Sequence, residues 1–471
     1  MKIKSCLYYL GLSCFPITIM ALMNIFYSFY FEHLDNISSY VSVLFLSLFV
    51  GLVFFYKARK EHESINIYEQ LLLVFLIYFL IPIFILIPFY FSSYDVSFVD
   101  SYFESISGLT GTGFTIFEHV KSLDPPLILW RSSSQWIGGF YFLIFLVLIF
   151  SNKQINFKMI DFSFGLEKKI NFSSNLISVT NRIFLIYLSL TVLIFSLFSI
   201  SGIRLFDSLN LTMTLISSGG FLPTDSLNDI IKSNFQSLFL CIAFLLSILN
   251  FYLLYNFILA RDNLKKHMED FFIIALALVF STIFYFMNDL NMSSAFINVL
   301  SSIGNSGIST RAVPENFGLY FIILTLFGGS VLSATSGLKF LRIYILIKAF
   351  LMEIYRLVKP NLVLNTKIMF SDNKINTDNI KISFLIFILF FLSLFILSSI
   401  LLIDFLDFEN SFKLSILTLT NTAASNIYGM QEIQFADLFT FSKISLIIFM
   451  VVAKVELLAF FILARKVFFK D

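Results

Sequence analysis

Charge is what this chain has least of. Asp, Glu, Lys and Arg together make up 13% of its 471 residues, while 58% are hydrophobic. Soluble domains carry about 25% charged residues. A surface this poor in charge cannot face water all round, so a soluble fold is excluded and lipid is the expected solvent. Cysteine is equally sparse. Cys6, Cys14 and Cys241 lie in apolar runs without a CxxC, which excludes a disulfide framework and a thiolate zinc site. The four histidines, His33, His62, His119 and His267, are scattered and offer no metal cluster or histidine triad. Net charge is only +2, with no basic stripe, so nucleic acid is not an expected partner. The 63 Phe support no functional reading, because a biased genome gives the same excess.

Long apolar runs are what the chain does have. They cover about 5–31, 39–56, 70–91, 126–151, 178–200, 235–260, 270–287, 317–350, 381–403 and 440–467, each long enough to span a bilayer. The first exceeds the roughly 7–15 residues of a signal-peptide core and ends without a small-residue cleavage site. It reads as a retained signal anchor. Lys and Arg alternate with the spans. Lys57, Arg59, Lys153, Lys168, Arg261, Lys265, Arg356, Lys359, Arg465 and Lys466 all fall on one side if all ten segments cross. The positive-inside rule makes that side cytoplasmic, with both termini there. The opposite side is acidic, including Asp95, Asp100, Glu104, Glu118 and Asp225. That pattern reflects avoidance of external Lys and Arg, and secondarily a field that gathers cations.

Between paired spans lie four semi-polar segments too short to cross: Ser101–Phe114, Ser208–Phe221, Ala295–Ile308 and Ser411–Asn426. Each begins as an amphipathic, helix-capable turn and ends in small and hydroxyl residues. Positions 113, 220, 307 and 425 recur at roughly hundred-residue intervals, the length of a two-helix unit with a hairpin. Chain that stops halfway through lipid leaves carbonyls free, and these must be buried in protein or face a wet cavity. Four such hairpins on one axis can replace the water shell of a cation with carbonyl oxygens. The fold class is therefore all-α integral membrane: four pseudo-symmetric membrane–pore–membrane repeats around a central ion pathway, after two N-terminal transmembrane helices. The expected division is 1–62 for those two helices, then repeats at 63–170, 171–268, 269–370 and 371–471. The filter candidates are Thr110, Gly111, Thr112 and Gly113; Ser217, Ser218, Gly219 and Gly220; Gly304, Asn305, Ser306 and Gly307; and Thr422, Ala423, Ala424 and Ser425.

The eighth apolar run is too long for one span and is interrupted by Gly328-Gly-Ser-Val-Leu-Ser-Ala-Thr-Ser-Gly337, which predicts a broken helix. Lys454 stands near the middle of the last run. An unpaired charge at that depth costs at least about 2.5–3.5 kcal/mol, so it should face a wet cavity or a partner. Glu456, two residues on, would not share its face of a continuous helix. A membrane-embedded enzyme needs a nucleophile–base or metal constellation. No Ser/His, Asp/Asp or HxxxE arrangement occurs in the spans, so no enzymatic activity is expected.

The stretch Ser105-Ile-Ser-Gly-Leu-Thr-Gly-Thr-Gly113, with Trp130-Arg131 and Gln135-Trp-Ile-Gly-Gly139, resembles the first repeat of TrkH-type transporters of the Trk/Ktr/HKT superfamily. Ser218-Gly-Gly-Phe-Leu-Pro-Thr-Asp225, Gly328-Gly329 through Gly337-Leu-Lys339 to Arg342, and Lys454-Val-Glu456 resemble the same family. The resemblance implies potassium uptake across the cytoplasmic (inner) membrane and a homodimer. It also implies a cytosolic nucleotide-binding regulatory partner of TrkA type. No cofactor is implied beyond K+ as the transported ion. It further implies that Gly329, Ser333, Thr335 and Gly337 form a gating loop beneath the filter, faced by Lys454. Two departures are visible. The fourth filter, Thr422-Ala-Ala-Ser425, is poor in glycine, with Ser425 taken as the residue matching the other glycines. Arg311 follows the third filter, where Glu315 or Asp225 would have to offset its charge. The first departure makes a sodium-permeable or weakly selective pathway an alternative; a non-conducting regulatory homologue is another.

Overall fold

The computed structural model describes residues 3–59, 65–151, 176–253, 268–288, 291–310, 313–359, 366–369, 375–404, 406–430 and 433–469. In lipid, backbone groups must be satisfied within the spanning segment itself, and the described chain is accordingly helical. Two helices come first: α1 (Ile3–Tyr30) and α2 (Ile37–Ala58). They meet through small residues. A Cβ on Gly11 would stand 2.9 Å from the Gly51 carbonyl oxygen, a separation only small-residue helix faces allow. Thr18 and Ser47 share a hydrogen bond of 2.8 Å across the same contact.

Four units follow, each a membrane helix, a short pore helix and a second membrane helix. The first is α3 (Ile67–Tyr90), α4 (Phe98–Thr110) and α5 (Pro125–Ser151); the second is α6 (Leu176–Ile200), α7 (Leu205–Ile216) and α8 (Asn234–Ile248). The third comprises α9 (Met268–Met287), α10 (Met292–Ile303) and a second helix in two pieces, α11 (Gly318–Phe327) and α12 (Phe340–Val358). The fourth comprises α13 (Thr377–Leu401), α14 (Phe408–Thr420) and another divided helix, α15 (Thr440–Lys454) and α16 (Leu457–Phe469). α4 packs on α15, α7 on α5, α10 on α8 and α14 on α11, so the repeats follow one another round a central axis, and repeats two and four face each other across it.

Of the ten apolar runs, six form unbroken helices long and apolar enough to cross a membrane, and the bent pair α15–α16 makes a seventh. α5 is a further unbroken helix of 27 residues; it carries Arg131-Ser-Ser-Ser-Gln135 within it, all buried, so its polar face looks into the protein rather than at lipid. The remaining runs are broken. The run at 235–260 does not continue as one helix: α8 stops at Ile248, and Asn250 turns the chain with its backbone N–H on Asp270 Oδ1 at 2.8 Å. The eighth run breaks at 328–339, as its small residues predict. The last run, expected to be continuous, bends by 99° after Lys454. Glu456 in that break has φ +70°, a left-handed conformation no helix interior accommodates.

Candidate functional site

Each pore helix ends because its next residues leave helical geometry. Ser97 caps α4 by accepting from the Asp100 backbone N–H at 3.2 Å, and Gly111 closes it in the left-handed conformation, φ +72°. Positive φ recurs after the other pore helices at Ser218 (+55°), Asn305 (+58°) and Asn421 (+48°). Backbone hydrogen bonds fix the same register. The N–H groups of Thr112, Gly219, Ser306 and Thr422 donate to the carbonyls of Ser107, Thr214, Ser301 and Leu417. One residue further stand Gly113, Gly220, Gly307 and Ala423. The equivalent of the three glycines is thus Ala423, not Ser425. Offset counting misplaced the fourth strand by two residues because it treated the whole segment to Asn426 as one hairpin limb.

These four positions meet. A Cβ on Gly113 would lie 2.8 Å from Gly220 Cα and 2.9 Å from Ala423 Cβ, and one on Gly307 would lie 2.2 Å from the Ala423 carbonyl oxygen. Ser306 O stands 2.7 Å from where a Gly220 Cβ would be. Below this level Asn421 Nδ2 donates to Thr112 Oγ1 at 2.9 Å and Asn305 Nδ2 to Thr422 Oγ1 at 3.2 Å, linking neighbouring strands directly. Above it opens a vestibule of about 680 Å³, lined by the exit strands together with Glu118, His119, Asp225 and Gln434. The buried oxygens Ser218 Oγ, Asn305 Oδ1, Asn421 Oδ1 and Ser425 Oγ have no protein donor. Buried acceptors left this way suit water or a cation. Among the described residues no His/Cys/Asp/Glu cluster could hold a metal ion.

The strands are tied from behind. Ser107 Oγ donates to Phe114 O at 2.6 Å, and Thr214 Oγ1 to Phe221 O at 2.8 Å. In repeat four the same pore-helix position is Leu417. A buried ion pair stiffens the first exit strand further. Arg131 Nε donates to Glu104 Oε1 at 2.8 Å, Glu104 Oε2 accepts the Ile116 N–H at 3.0 Å, and Arg131 Nη2 donates to Thr115 Oγ1 at 2.9 Å. The guanidinium also stacks 4.2 Å over the Phe221 ring of repeat two. Glu104 therefore does not belong to a vestibule field, and neither does Asp100, whose Oδ1 takes the Lys443 ammonium at 2.5 Å. Arg311 lies outside the described residues, as does the side chain of Glu315; Asp225 instead accepts the Lys121 backbone N–H at 3.1 Å.

Beneath these strands lies the break between α11 and α12. Gly329, Ser333, Thr335 and Gly337 are all in it, and it is folded on itself. Gly329 N–H donates to Thr335 Oγ1 at 2.9 Å, and the Lys339 ammonium donates to the Thr335 and Ser333 carbonyls at 2.5 and 3.2 Å. The loop also pairs with the turn after α8, Phe251 N–H to Leu332 O at 2.9 Å. Lys454 Nζ reaches Ser336 Oγ at 3.2 Å, sits 4.3 Å over the Phe142 ring, and lies 3.7 Å from a Cβ position on Gly111. It thus stands between the first strand and the loop. The expectation for Glu456 assumed an unbroken helix. In the break, Glu456 turns away and forms a pair with Arg342 Nη2 at 2.8 and 2.9 Å, joining the two broken helices. Sequence reasoning missed the Glu104–Arg131, Asp100–Lys443 and Arg342–Glu456 pairs. The available signal was a charge of each sign within an apolar or pore helix.

No family model matches the chain. An uncharacterized cation transporter of Methanocaldococcus jannaschii is 26% identical over 397 residues, covering 84% of this chain and 82% of the relative. The Trk system potassium uptake protein TrkH of Escherichia coli is 27% identical over 349 residues, covering 70% and 72%. The crystal structure of the potassium transporter TrkH from Vibrio parahaemolyticus superposes with a TM-score of 0.85 at 21% identity, covering 98% of both chains. These relatives are transporters, and the apolar helices make this a multi-pass membrane protein. Sequence likeness across most of its length makes the chain similar to TrkH-type transporters, and it shares the TrkH fold from end to end.

Proposed function

We propose that this chain is the pore-forming subunit of a Trk-type system that takes up potassium across the cytoplasmic membrane. The observation that carries the reading is the meeting of four half-crossing strands, Thr110–Gly113, Ser217–Gly220, Gly304–Gly307 and Thr420–Ala423, at one level below an open vestibule. Main-chain carbonyls at such a level exchange for the hydration shell of a monovalent ion. The membrane potential, worth about 2.3 kcal/mol per charge per 100 mV, drives entry. In this reading K+ is the cargo, no other cofactor acts, and no bond is made or broken.

The loop holding Gly329, Ser333, Thr335 and Gly337 is the gate, with Lys454 as a fixed positive charge that holds it under the first strand. Both termini face the cytoplasm, where a TrkA-like nucleotide-binding subunit engages a homodimer and moves the loop. The test is growth of a potassium-uptake-deficient bacterium on limiting potassium, paired with flux of K+, Rb+, Na+ and Li+ into vesicles holding the purified chain. Rescue with K+ and Rb+ favoured is expected; equal passage of Na+ would replace the proposal by a weakly selective pathway. That second reading is favoured by one observation, the alanine at 423.

A further inference from the structure

The loop between α11 and α12 closes around a charge of its own. Lys339 Nζ lies 3.3 Å from Ser330 O, 3.2 Å from both Ser333 O and Ser333 Oγ, 2.5 Å from Thr335 O and 3.1 Å from Thr335 Oγ1. An ammonium has three N–H groups, so at least two of these five oxygens meet its charge without a hydrogen bond of their own. Among the described residues no carboxylate forms an ion pair with it, and Glu456 in the neighbouring break is taken by Arg342. Ser330, Ser333, Thr335 and Lys339 are all buried. The backbone of Lys339 stands at φ +68°, a region that glycine enters freely and other residues rarely. Such a conformation persists where the surroundings over-determine it, and the surroundings here are the oxygens gathered round the side chain. Gly337 sets the loop against the third strand, since a Cβ on it would lie 3.7 Å from Asn305 Nδ2.

Three carbonyls and two hydroxyls, with no carboxylate among them, are a neutral oxygen set of the kind that replaces the water of a potassium ion. We propose that this loop is an alkali-cation site which the chain fills with its own Lys339, and that the site takes a dehydrated K+ or Rb+ ion once the lysine is removed. The site is separate from the four strands, and the proposal rests on the reading of the chain as a cation pathway only in that the pathway brings the ion to this depth. A spherical ion has no N–H directions to satisfy, so it meets all five oxygens alike. The lysine is tethered, so it keeps the loop folded whether potassium outside is scarce or abundant. In its absence the folding of the loop depends on the free ion by mass action.

The experiment compares the full-length wild type with Lys339→Met, which keeps the length of the side chain and removes its charge. Crystals of both are soaked in Rb+ and read by anomalous diffraction. Rb+ among the four strands of both proteins is expected, with a further Rb+ among Ser330, Ser333 and Thr335 in Lys339→Met alone. Melts in detergent, with choline replacing K+ at constant ionic strength, supply the second readout: K+ should raise the melting temperature of Lys339→Met by at least about 3 °C more than that of wild type. Rb+ among the strands of both proteins with none in the loop of Lys339→Met overturns the proposal, whatever the melts show, and leaves the uptake reading standing. Rb+ in that loop with none among the strands of either protein supports the proposal and counts against the uptake reading. Rb+ at neither place overturns both. If Lys339→Met is recovered monodisperse in K+ but aggregates in choline, the proposal is supported; aggregation in both overturns it, because the ion then fails to stand in for the lysine.

Discussion

Removing the carboxylate of Glu104 should loosen the filter from a site that no ion touches. Both partners of the Glu104–Arg131 pair are sealed from solvent, at 0% and 1% exposure. Taking away one member of a buried pair leaves an uncompensated charge and costs about 3–5 kcal/mol. Glu104→Ala also orphans the Ile116 N–H and removes the acceptor for Thr115 Oγ1. Replacing both partners together by apolar groups of similar size is far cheaper and can be neutral. Glu104→Leu with Arg131→Met should therefore melt closer to wild type than either single variant, with a coupling of about 0.5–3 kcal/mol. Stability and function should part company in that double variant. The exit strand Thr115–Ile116 has lost its holder even though no charge is stranded, so the K+/Na+ flux ratio in vesicles should stay below wild type. The measurement is a thermal melt in detergent for the four proteins, alongside their flux ratios. Additive losses in melting temperature would refute the stranded-charge argument. A wild-type flux ratio in the double variant would refute the claim that this pair positions the filter.

Thr214→Val removes the hydroxyl that holds Phe221 O; it should cost about 1 kcal/mol as one buried hydrogen bond and lower K+ over Na+ selectivity, read from flux ratios. Gly138→Ala places a Cβ 1.9 Å from the Leu109 carbonyl oxygen, a clash against backbone that should cost about 1–3 kcal/mol and show as a lower melting temperature. Lys454→Gln keeps a donor for Ser336 but removes the charge under the first strand. It should raise K+ influx several-fold in the absence of any partner, and unchanged influx would remove Lys454 from the gate.

Half-crossing hairpins were legible because glycine and hydroxyl residues interrupt an otherwise apolar chain at equal intervals. The break at 328–339 was legible for the same reason. The bend after Lys454 was not: Ala453-Lys-Val-Glu-Leu457 contains no glycine or proline, and the turn is held from elsewhere, by Arg342 reaching Glu456. The stop at Ile248 likewise depends on Asp270 and Leu332, far away in sequence. The register of the fourth strand was misjudged because Ala423 stands where the other three strands carry Gly113, Gly220 and Gly307, so no glycine marks the position. Buried ion pairs were invisible because a linear reading assigns Glu104 and Asp100 to the outside by the side of the membrane they approach, not by the cation waiting there.

A ring assembled from four different stretches of one polypeptide can be retuned a quarter at a time. In a pore built from four copies of a subunit, one codon change alters every wall at once, and most such changes are ruinous. Here the exchange of one hydrogen for one carbon, at one corner of the ring, leaves the other three corners as they were. Graded permeation is therefore open to this architecture by ordinary point mutation, without duplication of the gene or mixing of subunits.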